Sequence, residues 1–295
     1  MEEFLLRNIR NRFTAELQQW YPPEEIMNIF HLLTEHYFGF RKTLIALEPH
    51  KVLDQSEAEL LLSALEKLKR NLPVQYITGK AYFMDMELQV SPSVLIPRPE
   101  TEELVHWILG AYPEKPALTI IDIGTGSGCI ALGLKKHWGE ATIFAMDLSE
   151  RAVVVAQRNA RELQLDVRMI QGDIRDPGEN WPACDVIVSN PPYVPSSDRA
   201  SMQAHVAASE PEQALFVPDE DPLCLYRDIL SFGSDHLEPG GWVYLEIYEA
   251  FGRQVCDLLG EAGYMNIELK KDIFGKDRFV RGQVPQMTSR RESSD

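Results

Sequence analysis

Near the start of the chain apolar residues recur at Leu5, Leu6, Ile9, Phe13, Leu17 and Trp20. That spacing of three and four marks one face of a helix and predicts a first helix ending near Trp20. Pro22 and Pro23 followed by Glu24 and Glu25 signal the next start, since proline suits the first turn and acids favour the positive end of the helix dipole. Ile26, Ile29, Phe30, Leu33 and Tyr37 carry that helix on. Ser56, with Glu59 three residues later, reads as a capping box, and Leu60, Leu61, Leu65 and Leu68 give the stripe behind it. A small helical bundle over residues 1–75 is the expectation.

The pattern changes after Pro73. Tyr82, Phe83, Met84, Leu88 and Val90 fall in a β-prone stretch broken by polar residues, which predicts a β-hairpin linker within 76–95. From about Thr101 strand-like and helical segments alternate: strands Leu118 to Ile123, Thr142 to Met146, Val167 to Gln171, Asp185 to Ser189 and Trp242 to Ile247, with helices after Gly128 and from Glu150 to Leu163. Such alternation predicts an α/β domain over 96–285 with a mainly parallel sheet covered on both faces. Asn266 to Lys270 and Arg278 to Val284 suit an antiparallel edge pair, and the polar residues 286–295 read as a frayed tail.

Composition adds limits. With 44% hydrophobic and 25% charged residues, the 295-residue chain is that of a packed globular protein. The formal net charge of -16 gives no general attraction to a phosphate backbone, so it disfavours nucleic acid and fits a protein partner better. Cys129, Cys184, Cys224 and Cys256 form no C-x-x-C pair and have no zinc-like histidine spacing; they read as buried thiols, and no metal site is expected. The start Met1-Glu2-Glu3 lacks the basic n-region and apolar core of a signal peptide, so none is expected, and no run of about 18 apolar residues exists for a membrane span. A reducing cytoplasm is the expected compartment, with no membrane partner.

Asp122-Ile123-Gly124-Thr125-Gly126-Ser127-Gly128 follows an apolar strand and precedes a helix, where the backbone must turn sharply and a ligand can approach closely. A dinucleotide fingerprint would place its third glycine where Cys129 stands, whereas here glycines occupy alternate positions. The loop instead resembles motif I of the seven-stranded methyltransferases, which points to S-adenosyl-L-methionine and to Gly124, Thr125, Gly126, Ser127 and Gly128 as cofactor-binding residues. Asp147 ends the second strand about 20 residues beyond the glycines, a place from which a carboxylate can accept from both ribose hydroxyls. It could also cap the following helix, a role that Ser149 can fill. Asp173 closes the third strand, where it can accept from the adenine amine or simply serve a turn, and Ile174 can pack beside the ring.

Asn190-Pro191-Pro192-Tyr193 follows the apolar run Val186-Ile187-Val188, at the carboxyl end of a strand, where open α/β sheets bind ligands. Consecutive prolines fix the backbone and remove two amide donors, so the Pro191 carbonyl can act beside the Asn190 side-chain oxygen as a second acceptor. Two adjacent acceptors can hold one planar NH2 group and orient its nitrogen towards a methyl donor, with Tyr193 stacked on it. Catalysis would then be placement and electrostatics. The catalytic candidates are Asn190, Pro191 and Tyr193.

With both motifs the chain resembles the HemK/PrmC family, the peptide chain release factor N5-glutamine methyltransferases. The likeness extends to Pro73-Val74-Gln75-Tyr76-Ile77-Thr78-Gly79, Leu95-Ile96-Pro97-Arg98-Pro99-Glu100-Thr101-Glu102, Glu210-Pro211, Leu245-Glu246-Ile247 and Gly275-Lys276-Asp277-Arg278. It implies a seven-stranded Rossmann-like class I methyltransferase domain behind a small N-terminal helical domain that helps grip class 1 release factors. It also implies methylation of the glutamine in the factor's Gly-Gly-Gln loop, with Asn190, Pro191, Pro192 and Tyr193 as substrate residues and Asn190 as a cofactor residue as well. Val217-Pro218 and Tyr248 stand where family members commonly carry glycines. A glutamine methyltransferase for a ribosomal protein, or an enzyme for exocyclic amines of nucleic acid, shares the Asn-Pro-Pro-Tyr logic. A nucleic-acid enzyme would need a basic channel, and Pro99-Glu100-Thr101-Glu102 favours the release factor over the ribosomal protein.

Overall fold

The computed structural model describes residues 4–48, 50–114, 117–178, 181–202 and 209–286. The chain divides into two compact units: the first holds the described residues up to Lys80 together with Ser209, and the second those from Ala81 to Met202 and from Glu210 onward. From residue 287 the expected tail lies outside the described residues.

The first unit is built from α1 (Leu6–Leu17), α2 (Pro23–Phe38), α3 (Lys42–Leu47), α4 (Gln55–Lys69) and α5 (Val74–Thr78). The apolar stripe read from the sequence is what the helices bury: Leu6, Ile9, Phe13 and Leu17 of α1 meet Ile26, Phe30 and Leu33 of α2 and Leu61, Leu65 and Leu68 of α4. Phe13 and Phe30 pack edge to face, 5.2 Å between centroids. Two expectations need correction. The capping box at α4 is made by Asp54 and Glu57, not Ser56 and Glu59, because the helix begins one residue before Ser56; the Ser56 hydroxyl donates to Asp54 instead. Residues 76–78, expected in the hairpin, finish α5, which ends at Gly79 with φ at 72°. A two-residue antiparallel pair, β1 (Phe4–Leu5) with β2 (Val52–Leu53), is too short to leave a periodic signal.

The hairpin itself is β3 (Lys80–Phe83) and β4 (Met86–Gln89). Met84 and Asp85 between them both have positive φ, as a two-residue hairpin turn requires. Its apolar face is part of the second unit's core: Phe83, Met86 and Leu88 pack with Leu104 and Val105 of α6 (Pro99–Ala111) and with Ile130 and Leu134 of α7 (Cys129–His137).

The second unit carries β5 (Thr119–Ile123), β6 (Thr142–Asp147), α8 (Glu150–Leu163), β7 (Arg168–Gln171), β8 (Cys184–Ser189), β9 (Val194–Pro195), α9 (Glu212–Leu215), β10 (Phe216–Val217), α10 (Cys224–His236), β11 (Leu237–Glu246), α11 (Gly252–Glu261), β12 (Met265–Lys271) and β13 (Asp277–Gln283). One seven-stranded sheet runs β12-β13-β11-β8-β5-β6-β7. Strands β11, β8, β5, β6 and β7 are parallel, and β13 is antiparallel to both β11 and β12, the expected edge pair. Successive residues of the inner strands alternate between two cores: Ile120, Val186 and Tyr244 face α6 and α7, whereas Ile121, Ile187 and Val243 face α10 and α11. Strand β11 starts earlier than Trp242, with a register shift between Leu237 and Trp242. An added Cβ at Gly241 would lie 2.9 Å from the Glu238 carbonyl, so the shift needs glycine there. Of the four free cysteines only Cys184 is buried; Cys129, Cys224 and Cys256 are partly exposed, since the first two open helices beside loops.

Candidate active site

From β5 the chain moves outward through β6 and β7, then returns to β8 on the other side of β5. This reversal opens a crevice at the carboxyl ends of the strands, where ligands of such sheets bind. There lies a cavity of about 610 Å³, lined by the loops after β5, β6, β7 and β8 and by the stretches around Pro97 and Pro211. Its size falls within the roughly 300–1,000 Å³ of small-molecule sites.

The glycine loop leaves β5 and enters α7. Gly124, Gly126 and Gly128 all have positive φ, and the Gly124 and Thr125 N–H groups both donate to the Met146 carbonyl, at 2.8 and 2.9 Å. At Gly128 a Cβ would also press on Leu132, Ala156 and Met169, so glycine is required there for packing as well as for the turn. Asp122, fully buried at the head of the loop, accepts from the Thr125 hydroxyl at 2.6 Å and from the Ala131 N–H at 3.3 Å. Burial pushes its carboxyl up to about 7, and its Oδ1 has no partner among the described residues. Asn159 of α8 ties the loop to the hairpin, donating to the Ser127 carbonyl at 2.9 Å and accepting from the Gln89 N–H at 2.7 Å. A lone asparagine within a helical stripe gave no hint of this.

Asp147 accepts from the Gly126 N–H at 2.8 Å and the Ser149 N–H at 2.9 Å, and burial raises its carboxyl above the usual range. The cap of α8 is Ser149, whose hydroxyl accepts from the Ala152 N–H. Asp173 lies beyond β7 and lines the cavity, while Arg175 holds its carboxylate with two guanidinium bonds of 3.0 Å and lowers its pKa. Ile174 lines the same cavity.

Asn190, Pro191 and Pro192 line the same cavity. The Asn190 Nδ2 donates to the Thr101 hydroxyl at 3.0 Å, and that hydroxyl donates to Glu246 Oε2 at 2.8 Å. Tyr193 is not among the lining residues: its hydroxyl donates to Glu246 Oε1 at 3.0 Å and its ring stacks on Tyr248. Burial, followed by the Glu246 charge, raises the Tyr193 phenol well above its ordinary value. Glu246 sits at the end of β11, and burial pushes its carboxyl up to about 7 against the pull of Thr101, Tyr193 and Arg278. Thr101 and Glu246 lie in stretches that carried the family likeness, but only the fold brings them to Asn190 from 89 and 56 residues away.

The set of groups fits S-adenosylmethionine. Asp147 presents a carboxylate and Ile174 an apolar side chain to the cavity, and the buried Ser127 hydroxyl, which also lines it, has no partner among the described residues.

Residues 106–215 match the model of the methyltransferase small domain, and residues 8–79 that of the PrmC N-terminal domain. Among solved structures the fold is similar to a methyltransferase from Pyrococcus furiosus, with a TM-score of 0.50 and 21% identity over 67% of this chain and 88% of that one. It is also similar to the 16S rRNA N2 G1207 methyltransferase of Thermus thermophilus, with a TM-score of 0.53 and 16% identity over 70% and 49%. These two speak for the fold. The release factor glutamine methyltransferase of Bacteroides thetaiotaomicron is 41% identical over 92% of this chain and 98% of its own length, and that of Flavobacterium psychrophilum 36% identical over 94% and 98%. The chain belongs to the release factor glutamine methyltransferases.

Proposed function

We infer that the protein transfers a methyl group from S-adenosylmethionine to N5 of the glutamine side chain in the Gly-Gly-Gln loop of class 1 release factors. When bound, the cofactor supplies a methyl group on a sulfonium. The observation that carries the site assignment is the tethering of Asn190 Nδ2 to Thr101, which leaves Oδ1 to accept from a planar NH2 group in the cavity that also holds the glycine loop. Asn190 Oδ1 and the Pro191 carbonyl take the two amide hydrogens, aim the nitrogen at the methyl carbon and ease its loss of planarity. The amide nitrogen held this way would take the methyl group in exchange for one of its protons, which would leave to water, the cofactor departing as the neutral thioether. Gly124 to Gly128, Asp147, Asp173 and Ile174 hold the cofactor, and Pro192 keeps the acceptor loop rigid. Tyr193 braces that loop through Glu246.

The first unit serves as a grip for the release factor. The net charge of -16 supports a protein substrate over nucleic acid. Among the described residues no helix is long and apolar enough to cross a membrane, in keeping with work in the cytoplasm. The test is to incubate the protein with methyl-labelled S-adenosylmethionine and a purified release factor, its loop Gln→Ala variant, or DNA. Label in the intact factor alone, lost with Asn190→Ala enzyme, is the expected result; label in DNA and none in the factor would overturn the substrate.

A further inference from the structure

A carboxylate can only accept hydrogen bonds, whereas a hydroxyl donates one and accepts others. At the end of β11 this asymmetry sets the direction of a whole chain. The Thr101 hydroxyl spends its single proton on Glu246 Oε2 at 2.8 Å, so towards Asn190 it presents only lone pairs. The Nδ2 end of the asparagine is the one that can meet them, at 3.0 Å. Glu246 Oε1 is taken by the Tyr193 hydroxyl at 3.0 Å, and the Glu246 backbone carbonyl by Tyr226 at 3.4 Å. Thr101 and Glu246 are 2% and 1% exposed, so water does not compete for these bonds.

We propose that Glu246 and Thr101 are positioning residues, the buried carboxylate polarising a hydrogen-bond chain that turns the Asn190 amide so that Nδ2 faces the protein and Oδ1 faces the methyl acceptor. The proposal rests on Asn190 as the anchor of the acceptor NH2. An asparagine turned the other way would point its own NH2 at that group, donor against donor. The orientation therefore depends on Glu246 being ionised. Once protonated, Glu246 can donate to Thr101, Thr101 can donate to Oδ1, and the chain runs in reverse.

Several groups face Glu246. Arg278 of β13 favours the carboxylate, and Glu100 of α6 opposes it; Tyr193 and Tyr226 approach from the acceptor loop and from α10, and Cys129 feels its charge from the start of α7. Burial is the largest influence and sets its titration to about 7, so the reversal falls in an accessible window.

The experiment uses the full chain with S-adenosylmethionine. In the 15N-labelled protein the Asn190 side-chain NH2 resonances, identified by their loss in Asn190→Ala, are followed from about pH 5.5 to about pH 8. They are expected to shift with a midpoint near that of Glu246 and to stop responding in Glu246→Gln. In parallel, Thr101→Val and Glu246→Gln are expected to lower kcat for the release factor roughly 10- to 100-fold, with cofactor affinity unchanged and the acid limb of the pH profile gone. Thr101→Ser, which keeps the hydroxyl, is expected to recover most of the loss. Wild-type kcat with an intact acid limb in Thr101→Val, or Asn190 resonances that ignore pH, would overturn the proposal. Should a variant fail to fold, the wild-type resonances decide. Should the wild type leave the release factor unlabelled, the functional reading falls, while the resonances still judge the orientation.

Discussion

The Asp147 carboxylate accepts a hydrogen bond from the Gly126 backbone N–H at 2.8 Å, so the residue expected to hold the cofactor also holds the loop that approaches it. Asp147→Ala removes both functions. A charge-assisted hydrogen bond contributes about 2 kcal/mol, so S-adenosylmethionine should bind roughly thirtyfold more weakly. Isothermal titration calorimetry measures this, and an unchanged Kd would remove Asp147 from the cofactor site.

Arg98, whose role sequence reasoning could not supply, donates to Glu210 Oε1, while Glu210 Oε2 accepts from the Ile96 N–H at 3.3 Å. The pair ties the Pro97 stretch to the Pro211 stretch, both of which line the cavity. The Glu210 side chain is 1% exposed and that of Arg98 30%. Arg98→Ala therefore strands a buried charge and should cost about 3 kcal/mol. Glu210→Ala leaves a guanidinium that reaches water but also strips the Ile96 N–H of its acceptor, and should cost about 2 kcal/mol. Urea unfolding of both variants checks the asymmetry; equal losses would contradict it.

Asp122 titrates near 7 in the fold instead of near 3.8 because burial disfavours its charge. Between those values the folded chain binds a proton that the unfolded chain has released. Stability should thus fall as pH rises through about 4 to 7 and level off above, by up to about 1.4 kcal/mol per pH unit. Glu246, raised to about 7 from 4.5, acts in the same direction. Asp173 and Asp272, whose values are lowered, act below the window. Denaturant melts at several pH values should show the decline, and Asp122→Asn should make it shallower; an identical slope would be evidence against a protonated Asp122.

In the first unit, Asp54 accepts from the Glu57 N–H at 2.8 Å and the Glu57 carboxylate accepts from the Asp54 N–H at 3.0 Å. Asp54→Ala should lower the midpoint of thermal unfolding, since the box loses both of its bonds. Ser56→Ala, which removes only a bond to the same carboxylate, should lower it distinctly less; the reverse order would restore Ser56 as the cap.

The sequence by itself determined the main helices and inner strands and marked two loops, the glycine loop and the Asn-Pro-Pro-Tyr turn, as candidate chemistry. Apolar residues at a helical spacing can only be buried as helices, and continuous runs such as Val186-Ile187-Val188 only as inner strands. Alternate glycines and the Asn-Pro-Pro-Tyr turn declare their use because each needs a backbone shape that few other residues allow. The tertiary structure alone decided which distant side chains complete the site. Thr101 on α6 meets Asn190 after β8 and Glu246 on β11, and Asn159 on α8 meets both the glycine loop and the hairpin. It also set the Tyr193 hydroxyl on Glu246 and its ring beside Tyr248. Periodicity records which face of an element is buried. It does not record which partner waits there, because hydrogen-bond partners are set by strand order and register, and these emerge only when the sheet closes.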